Sequence, residues 1–465
     1  MKHRNGPCGR KEGGFTLVEV VFGAVIMALM VASIGQLFIS NINTVVLGKS
    51  RAIGVALVNE KMEALRDLPY DSVATQAGTI YPPGNILDNE TVVKDNYKFS
   101  VHTDINYVDD PYDGYASCPC ASGPAAGKPQ DLYPYDYKKA QITVKLASSG
   151  AVVATATTDI AGKAAETSSN TGILQVKVID SNGLPVANAN VTILNTSPNP
   201  DVNISTTTDN NGLVLIPRLP PYSNNSYHVT ASLPGYSTDG TIPDPPGSQT
   251  AVQQDMNVLA QQINPITLAI DHLSTMYIHV VDTSGGAVSG LSVTTSGTKT
   301  TKANPTVYKY SQATATSATG DITLSGMEWD SYSFSVPSGY YLVSSSPYVK
   351  AALAANSSTT VNLVVSTNSN WPVITAATPV TQQTGTNSFT IKITGSNIPT
   401  SATMKLQKSG QSDISGTSCS SAGTSPTQTH TCTFNLSGAA TGTWDIAVTN
   451  GTGTTTQVGG FSVTP

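Results

Sequence analysis

Residues 13–21 read Gly-Gly-Phe-Thr-Leu-Val-Glu-Val-Val and open an apolar run that continues to Ile39. Basic residues precede this run, and Glu19 is the single charged residue within it. Roughly 20 apolar residues in a helix span the hydrocarbon core of a bilayer. Basic residues ahead of such a helix favour a cytoplasmic N-terminus. The sequence therefore predicts a membrane-spanning helix over residues 15–39.

The Gly-Phe junction followed by a glutamate resembles the N-terminal segment of the type IV pilin family, which includes pseudopilins and minor pilins. This resemblance implies that residues 1–14 are a leader and that a prepilin peptidase cleaves between Gly14 and Phe15. It also implies methylation of the new amine of Phe15. A carboxylate within an apolar helix costs about 2.5–3.5 kcal/mol. We therefore expect Glu19 to act in subunit assembly by pairing with a Phe15 amine, its own or a neighbour's.

The helix is predicted to continue well beyond the membrane. No proline occurs from Phe15 to Leu68, and Pro69 then supplies a stop. Apolar residues of the second half recur at helical spacing, namely Val55, Val58, Met62 and Leu65. The pattern predicts one pilin helix over 15–68, with a second half that buries one face.

Residues 69–162 are predicted to form the globular head of the pilin. Alternating apolar and polar residues at 97–103, 140–146 and 151–156 indicate strands of a small antiparallel sheet. The predicted fold is thus an α+β pilin module, a long N-terminal helix with a small sheet. A polar segment over 163–171 reads as a linker.

Acidic residues cluster in the head between two of the predicted strands. Asp109, Asp110 and Asp113 lie together, with Asp131 and Asp136 further along. Some pseudopilins hold calcium in a loop of the head, and carboxylate oxygens suit this hard cation. We predict no other cofactor. A solvated acidic loop without a metal is the open alternative.

The chain has five cysteines, and removal of the leader takes Cys8 away and leaves four. Cys419 and Cys432 flank a Ser/Thr-rich loop, and we expect a disulfide between them. Cys118 and Cys120 are separated by a single proline. They either pair in a small ring or stay reduced.

Three all-β immunoglobulin-like sandwiches are predicted after the linker. Residues 172–261 carry an Asp-Asn-Asn-Gly turn before a strand and a later Pro-Gly-Tyr segment. They resemble the carboxypeptidase-regulatory-like and collagen-adhesin B-type family. The same order of strand, turn and Gly-Tyr recurs in 262–367. Residues 370–465 resemble the IPT/TIG family, on the Gly-Ser-Asn turn ending at Asn397 and the Gly-Thr-Trp strand ending at Trp444.

The composition and motifs of the chain argue against two classes of function, nucleic-acid binding and catalysis. Only 12% of the residues are charged, and abundant Gly, Ser and Thr are typical of extracellular β-domains. The net charge of −6 and the absence of a basic patch argue against nucleic-acid binding. No nucleophile elbow, metal motif or phosphate loop is present, so we do not expect an enzyme.

The leading interpretation is a minor or tip-located type IV pilin whose sandwiches serve adhesion or partner binding. Its predicted partners are the prepilin peptidase, other pilin subunits, the inner membrane, and a surface protein or glycan. It would be a single-pass inner-membrane precursor that later reaches the cell surface or pilus. The alternatives are a pseudopilin of a type II secretion system and a membrane-anchored carbohydrate-binding protein.

Overall fold

The computed structural model describes residues 17–116, 122–131, 133–162, 170–244, 250–347 and 350–465, and only the backbone of Asn43. The chain divides into two compact units, Met1–Thr167 and Ser168–Pro465. The first unit holds a long helix and one sheet. The second holds only strands and their connections.

One continuous helix, α1 (Leu17–Arg66), dominates the first unit. By length and composition it is the one helix among the described residues that could span a membrane. Its apolar first half is exposed, and the hydroxyls of Ser33 and Thr44 donate to carbonyls one turn back. The helix ends two residues before the predicted Leu68, and a short 3₁₀ turn (Tyr70–Ser72) follows Pro69.

The second half of α1 packs on a four-stranded antiparallel sheet in the order β1-β2-β3-β4. The strands are β1 (Asn89–Lys94), β2 (Tyr97–Val108), β3 (Tyr137–Leu146) and β4 (Val152–Ala161). Three residues of the predicted helix face lie in the shared core, namely Val58, Met62 and Leu65, whereas the predicted Val55 is exposed. Alternate residues of the strands complete this core, including Phe99, Val101, Ile142 and Val144. Gly54 permits this close packing, because a Cβ there would lie 2.7 Å from Cγ2 of Val153.

A buried lysine joins the end of the helix to the sheet. Lys138 of β3 is 1% exposed and points to the same face as the apolar core residues of its strand. Its Nζ donates to the carbonyls of Tyr70 and Val73, at 2.8 Å each. The ring centroids of Tyr70 and Tyr107 lie 4.6 and 5.4 Å from Nζ. Lys138 therefore holds the turn after α1 against the sheet.

The second unit begins with a sandwich of two sheets, in the orders β12-β5-β8 and β10-β9-β6-β7, with β11 paired to β9. Its strands are β5 (Gly172–Ile179), β6 (Asn190–Asn195), β7 (Val202–Thr207), β8 (Leu213–Leu219), β9 (Tyr222–Ser232), β10 (Asp239–Gly240), β11 (Met256–Val258) and β12 (Ile263–Ala269). The boundary predicted between 261 and 262 is wrong. Strand β12 pairs in parallel with β5 along its whole length, so it completes the first sandwich.

A second sandwich follows with the sheet orders β18-β13-β22-β20 and β17-β14-β19-β21 and a separate hairpin β15-β16. Its strands are β13 (Ser274–Asp282), β14 (Ser292–Ser296), β15 (Thr300–Ala303), β16 (Thr306–Tyr308), β17 (Ser311–Ala315), β18 (Asp321–Met327), β19 (Asp330–Ser335), β20 (Tyr341–Ser346), β21 (Ala351–Leu353) and β22 (Ser358–Ser366). Its first strand again pairs in parallel with its last, β13 with β22.

The two sandwiches share local details as well as topology. Asp180 and Asp282 each accept backbone N–H bonds from the residues two and four positions later. Thr208 and Thr316 each donate to a carbonyl, of Val186 and of Val288, and accept a backbone N–H. These matched turns explain why the order of sequence signals recurs.

A third sandwich closes the chain with the sheet orders β23-β25-β29-β28 and β24-β31-β30-β26-β27. Its strands are β23 (Val373–Thr378), β24 (Thr381–Gln383), β25 (Phe389–Ser396), β26 (Thr403–Gln407), β27 (Ile414–Ser415), β28 (Thr417–Ala422), β29 (Gln428–Phe434), β30 (Gly442–Thr449) and β31 (Thr454–Thr464). Trp444 is 1% exposed, and its indole N–H donates to the carbonyl of Ala440. It packs in the core with Phe434 and Phe461.

Candidate functional site

The predicted processing and assembly residues lie at the start of the chain. Gly14 and Phe15 fall outside the described residues. Glu19 lies in the first turn of α1, among exposed apolar side chains. Its carboxylate thus sits at one end of a long apolar surface. The apolar surface itself needs covering, by lipid or by other protein.

The acidic loop of the head is closed by contacts between its two ends. Tyr115 and Gln130 form a β-bridge, and the N–H of Asp131 donates to the carbonyl of Tyr115. Gly114 has φ +143°, and a Cβ there would lie 2.3 Å from the carbonyl oxygen of Pro129. Only glycine therefore allows the two sides of this loop to approach so closely.

The loop brings together three carboxylates that are distant in sequence. One oxygen from each of Asp113, Asp131 and Asp136 lies within 4.8 Å of the other two. Burial raises the pKa of Asp109 to about 7, and the nearby Asp131, Asp136 and Asp113 carboxylates add to the rise. Asp109 Oδ2 accepts the N–H of Ala116, while its Oδ1 is buried and accepts no hydrogen bond from the described residues.

Of the predicted metal residues Asp109, Asp110 and Asp113, the structure groups Asp113 with Asp131 and Asp136. Asp110 uses Oδ1 to accept the N–H of Tyr112 in a local turn, and its own N–H donates to Asp136 at 2.5 Å. The pairing of the two predicted strands could have indicated this proximity, since β2 pairs with β3 and places Val108 opposite Tyr137. That register brings Asp109 beside Asp136.

The grouped carboxylates of Asp113, Asp131 and Asp136, with the coupled carboxyl of Asp109 nearby, fit a hard cation. Burial, with a smaller contribution from repulsion by the other three carboxylates, raises the pKa of Asp109, and its buried Oδ1 accepts no hydrogen bond from the described residues. Calcium takes six to eight oxygen ligands in a flexible geometry. These residues would hold the ion and would lock the two ends of the loop together.

Calcium is expected to bind the EDTA-treated full chain at pH 8 with one site. Ligand at a hundredfold excess over its dissociation constant stabilises a native state by about 2.7 kcal/mol. Asp131→Asn should weaken calcium binding at least about tenfold, because it removes one charged ligand. Isothermal titration checks both results. Asp104→Asn, at an exposed position of β2, is the control, and equal calcium affinity in the two variants would contradict the site.

A cavity of about 310 Å³ lies where the first and second sandwiches meet, and we call it the junction cavity. Its lining combines tyrosine rings with charged side chains: Tyr236, Tyr310, Tyr332, Lys299, Lys309, Glu328 and Asp330. Glu328 accepts from Lys299 at 2.7 Å and from Lys309 at 2.8 Å. Burial lowers the pKa of Lys299, although Glu328 opposes this effect.

Hydrogen bonds join the first sandwich to the second. Lys309 Nζ donates to the carbonyl of Thr238 in the first sandwich at 2.8 Å. The N–H of Ala303, in the hairpin β15-β16, donates to the carbonyl of Thr250, and that of Val252 donates to the carbonyl of Thr301. The hairpin therefore adds to a segment of the first sandwich. Sequence patterns do not reveal this cavity, because its walls come from separate sandwiches.

The remaining predicted site residues are cysteines. In the structure a disulfide joins Cys419 of β28 to Cys432 of β29, with the Cα atoms 4.2 Å apart. Cys118 and Cys120 lie outside the described residues. The disulfide links an edge strand to the centre of its sheet.

Comparison with solved structures finds the Bacillus anthracis TIE protein and several pilins at low similarity. The Bacillus anthracis TIE protein aligns over 70% of this chain at 10% identity with a TM-score of 0.19, and the alignment spans 58% of that protein. A streptococcal ancillary pilin aligns over 48% of this chain and 75% of its own, at 12% identity and TM-score 0.21. The shaft pilin SpaA from Lactobacillus rhamnosus GG aligns over 42% and 98%, at 12% identity and TM-score 0.16. These TM-scores are too low to assign a function.

Sequence comparison is specific for one part of the chain. No curated protein sequence matches this chain significantly. Residues 173–268 match the family model of the carboxypeptidase regulatory-like domain. This range runs from β5 into β12 and agrees with the sandwich boundary set by strand pairing. The first sandwich is therefore similar to carboxypeptidase regulatory-like domains.

Proposed function

We propose that this chain is a structural subunit of the type IV pilin kind, which displays three β-sandwiches outside the cell. One observation carries the proposal: a single helix has an apolar, exposed first half and a second half buried on a four-stranded sheet. Such a helix can leave the bilayer and enter a fibre core without refolding its head. The prepilin-like segment around Glu19 supports the same interpretation.

The three sandwiches form the proposed binding part of the subunit. Their bulk suits a tip or sparse position in a thin filament rather than every position. The junction cavity is the proposed ligand site, because small-molecule sites favour domain interfaces and combine aromatic walls with a few polar groups. A surface protein or a glycan is the proposed partner, and we propose no enzymatic activity.

Two other functions use the same structure differently. If the chain is a pseudopilin of a type II secretion system, its sandwiches would contact secreted substrates. As a membrane-anchored carbohydrate-binding protein, the chain would never polymerise. Glu19 argues against this last alternative, since a simple anchor gains nothing from a charge in its apolar helix.

Processing provides the direct test. In a host with active prepilin peptidase, intact-mass spectrometry should find a chain that begins at methylated Phe15. Gly14→Ala should block cleavage and leave the precursor in the membrane, because the peptidase site requires the Gly-Phe junction. Gly13→Ala is the neighbouring control and should still be cleaved. A chain that retains Met1 in such a host would overturn the proposal.

Removal of residues 172–465 should leave a chain that inserts, is cleaved and joins the filament. The first unit contains the helix, its sheet and their shared core, so it does not depend on the sandwiches for its packing. Filament shearing followed by immunoblotting measures incorporation, with the full chain as reference. Complete absence of the truncated chain from filaments, despite normal cleavage, would assign assembly contacts to the sandwiches instead.

A further inference from the structure

The third sandwich contains a histidine beside its disulfide. His430 and Cys432 are both 0% exposed and lie on the core strand β29. The Nε2 atom of His430 lies 3.2 Å from Sγ of Cys432. One ligand atom from each of Cys419, His430 and Cys432 lies within 4.8 Å of the other two.

Hydrogen bonding assigns the tautomer of His430. The hydroxyl of Ser421 donates to the carbonyl of Ile398 at 3.0 Å, so its single proton is used there. Ser421 Oγ then accepts from Nδ1 of His430 at 2.7 Å, which places the ring proton on Nδ1. Nε2 therefore presents a lone pair toward the two sulfur atoms. In the disulfide state neither sulfur carries a proton to donate to it.

Cys419 lies at the margin of the core, whereas Cys432 lies inside it. It lies on β28, an edge strand, in a bulge between the pairs Thr417–Thr433 and Ser420–Thr431. Its side chain is partly exposed, whereas Cys432 is buried. Bulges leave a residue outside the regular ladder. Rotation of Cys419 would thus open the space that the disulfide now closes.

We propose that, once this disulfide is reduced, Cys419, Cys432 and His430 bind one zinc ion, and that the disulfide excludes it. Zinc takes thiolate sulfur at about 2.3 Å and imidazole nitrogen at about 2.0–2.1 Å. Ligand atoms around such an ion lie roughly 3–4 Å apart. The hydrogen bond from His430 Nδ1 to Ser421 holds the orientation and tautomer of the ring. Zinc-bound histidines usually make such a hydrogen bond through the nitrogen that does not bind the metal.

The chemistry balances with a dithiol as reductant. The dithiol gives two electrons and two protons to the disulfide, which becomes two thiols while the dithiol becomes a disulfide. Zinc then displaces both thiol protons to solvent and accepts the Nε2 lone pair. Two thiolates and one Zn²⁺ are together neutral, which suits a buried position better than a monovalent cation would.

The test uses the full chain with Cys8, Cys118 and Cys120 changed to serine, so that other thiols do not contribute. The protein is reduced with dithiothreitol, freed of it by anaerobic gel filtration, and titrated with Zn²⁺ against a chromophoric chelator. We expect one zinc per reduced chain and none per oxidised chain. Co²⁺ in place of zinc should give thiolate-to-cobalt absorption bands.

Variants distinguish a zinc site formed by all three residues from nonspecific zinc binding by two thiols alone. His430→Ala should weaken zinc binding at least about 100-fold and Ser421→Ala about tenfold, since outer-partner losses alone cost 10–100-fold. His279→Ala, at an exposed histidine, should change nothing. If reduction lowers the near-UV circular dichroism of the full chain, zinc should restore it. Unchanged affinity in His430→Ala, or no thiolate bands with Co²⁺, would overturn the proposal.

Discussion

A chain that carries Glu19→Ala should be cleaved and folded normally but appear in filaments at about one hundredth of the parental level. Glu19 is the single charged residue of the apolar half of α1. In the proposed fibre, a Phe15 amine is its partner. Loss of one member of a buried ion pair leaves the other charge uncompensated at about 3–5 kcal/mol. Even the lower figure corresponds to a loss of roughly 100-fold in association.

The fold of the variant should not change. Alanine is a better helix former than glutamate, and residue 19 contacts none of the core of the first unit. Filament shearing and immunoblotting measure incorporation, and membrane fractions measure insertion. Glu63→Ala is the matched control, because Glu63 lies on the exposed face of the same helix and forms an ion pair with Arg66. If both variants enter filaments equally well, Glu19 has no specific role in subunit assembly.

Local sequence patterns were sufficient to predict the helix and most strands. The absence of proline and the spacing of Val58, Met62 and Leu65 fixed the buried helix face, and the structure buries these residues. Repeated turn residues fixed the order of strands in the first two sandwiches. Each of these signals acts within a few residues, so a sequence reveals it directly.

Pairing between distant segments was harder to predict. The assignment of β12 to the second sandwich failed because a parallel pair with β5 leaves no local signal. The carboxylate set failed in part for the same reason, since Asp131 and Asp136 reach Asp113 only through loop closure. The junction cavity and the neighbourhood of His430 likewise depend on packing between strands that are far apart in sequence.

Lys138→Met should destabilise the head by about 3 kcal/mol. The sequence shows Lys138 as one of two adjacent lysines in an alternating strand, and nothing distinguishes them there. The structure buries Lys138 and exposes Lys139. Methionine fills a similar volume, but the carbonyl of Val73 loses the ammonium donor, and that of Tyr70 keeps only the N–H of Val73. The rings of Tyr70 and Tyr107 also lose the cation above them. Each buried acceptor left without a hydrogen bond costs about 1–3 kcal/mol.

Hydrogen exchange on the full chain isolates this effect from the sandwiches. Amides of β2 and β3 should exchange roughly 100-fold faster in Lys138→Met, because their protection reports the free energy of opening. Lys139→Met makes the same chemical change on the exposed face and should stay within about 0.5 kcal/mol of the parent. Exchange in the third sandwich should be identical in all three chains. If the two methionine variants exchange alike, Lys138 does not hold the turn after α1, and apolar packing alone fixes the helix on the sheet.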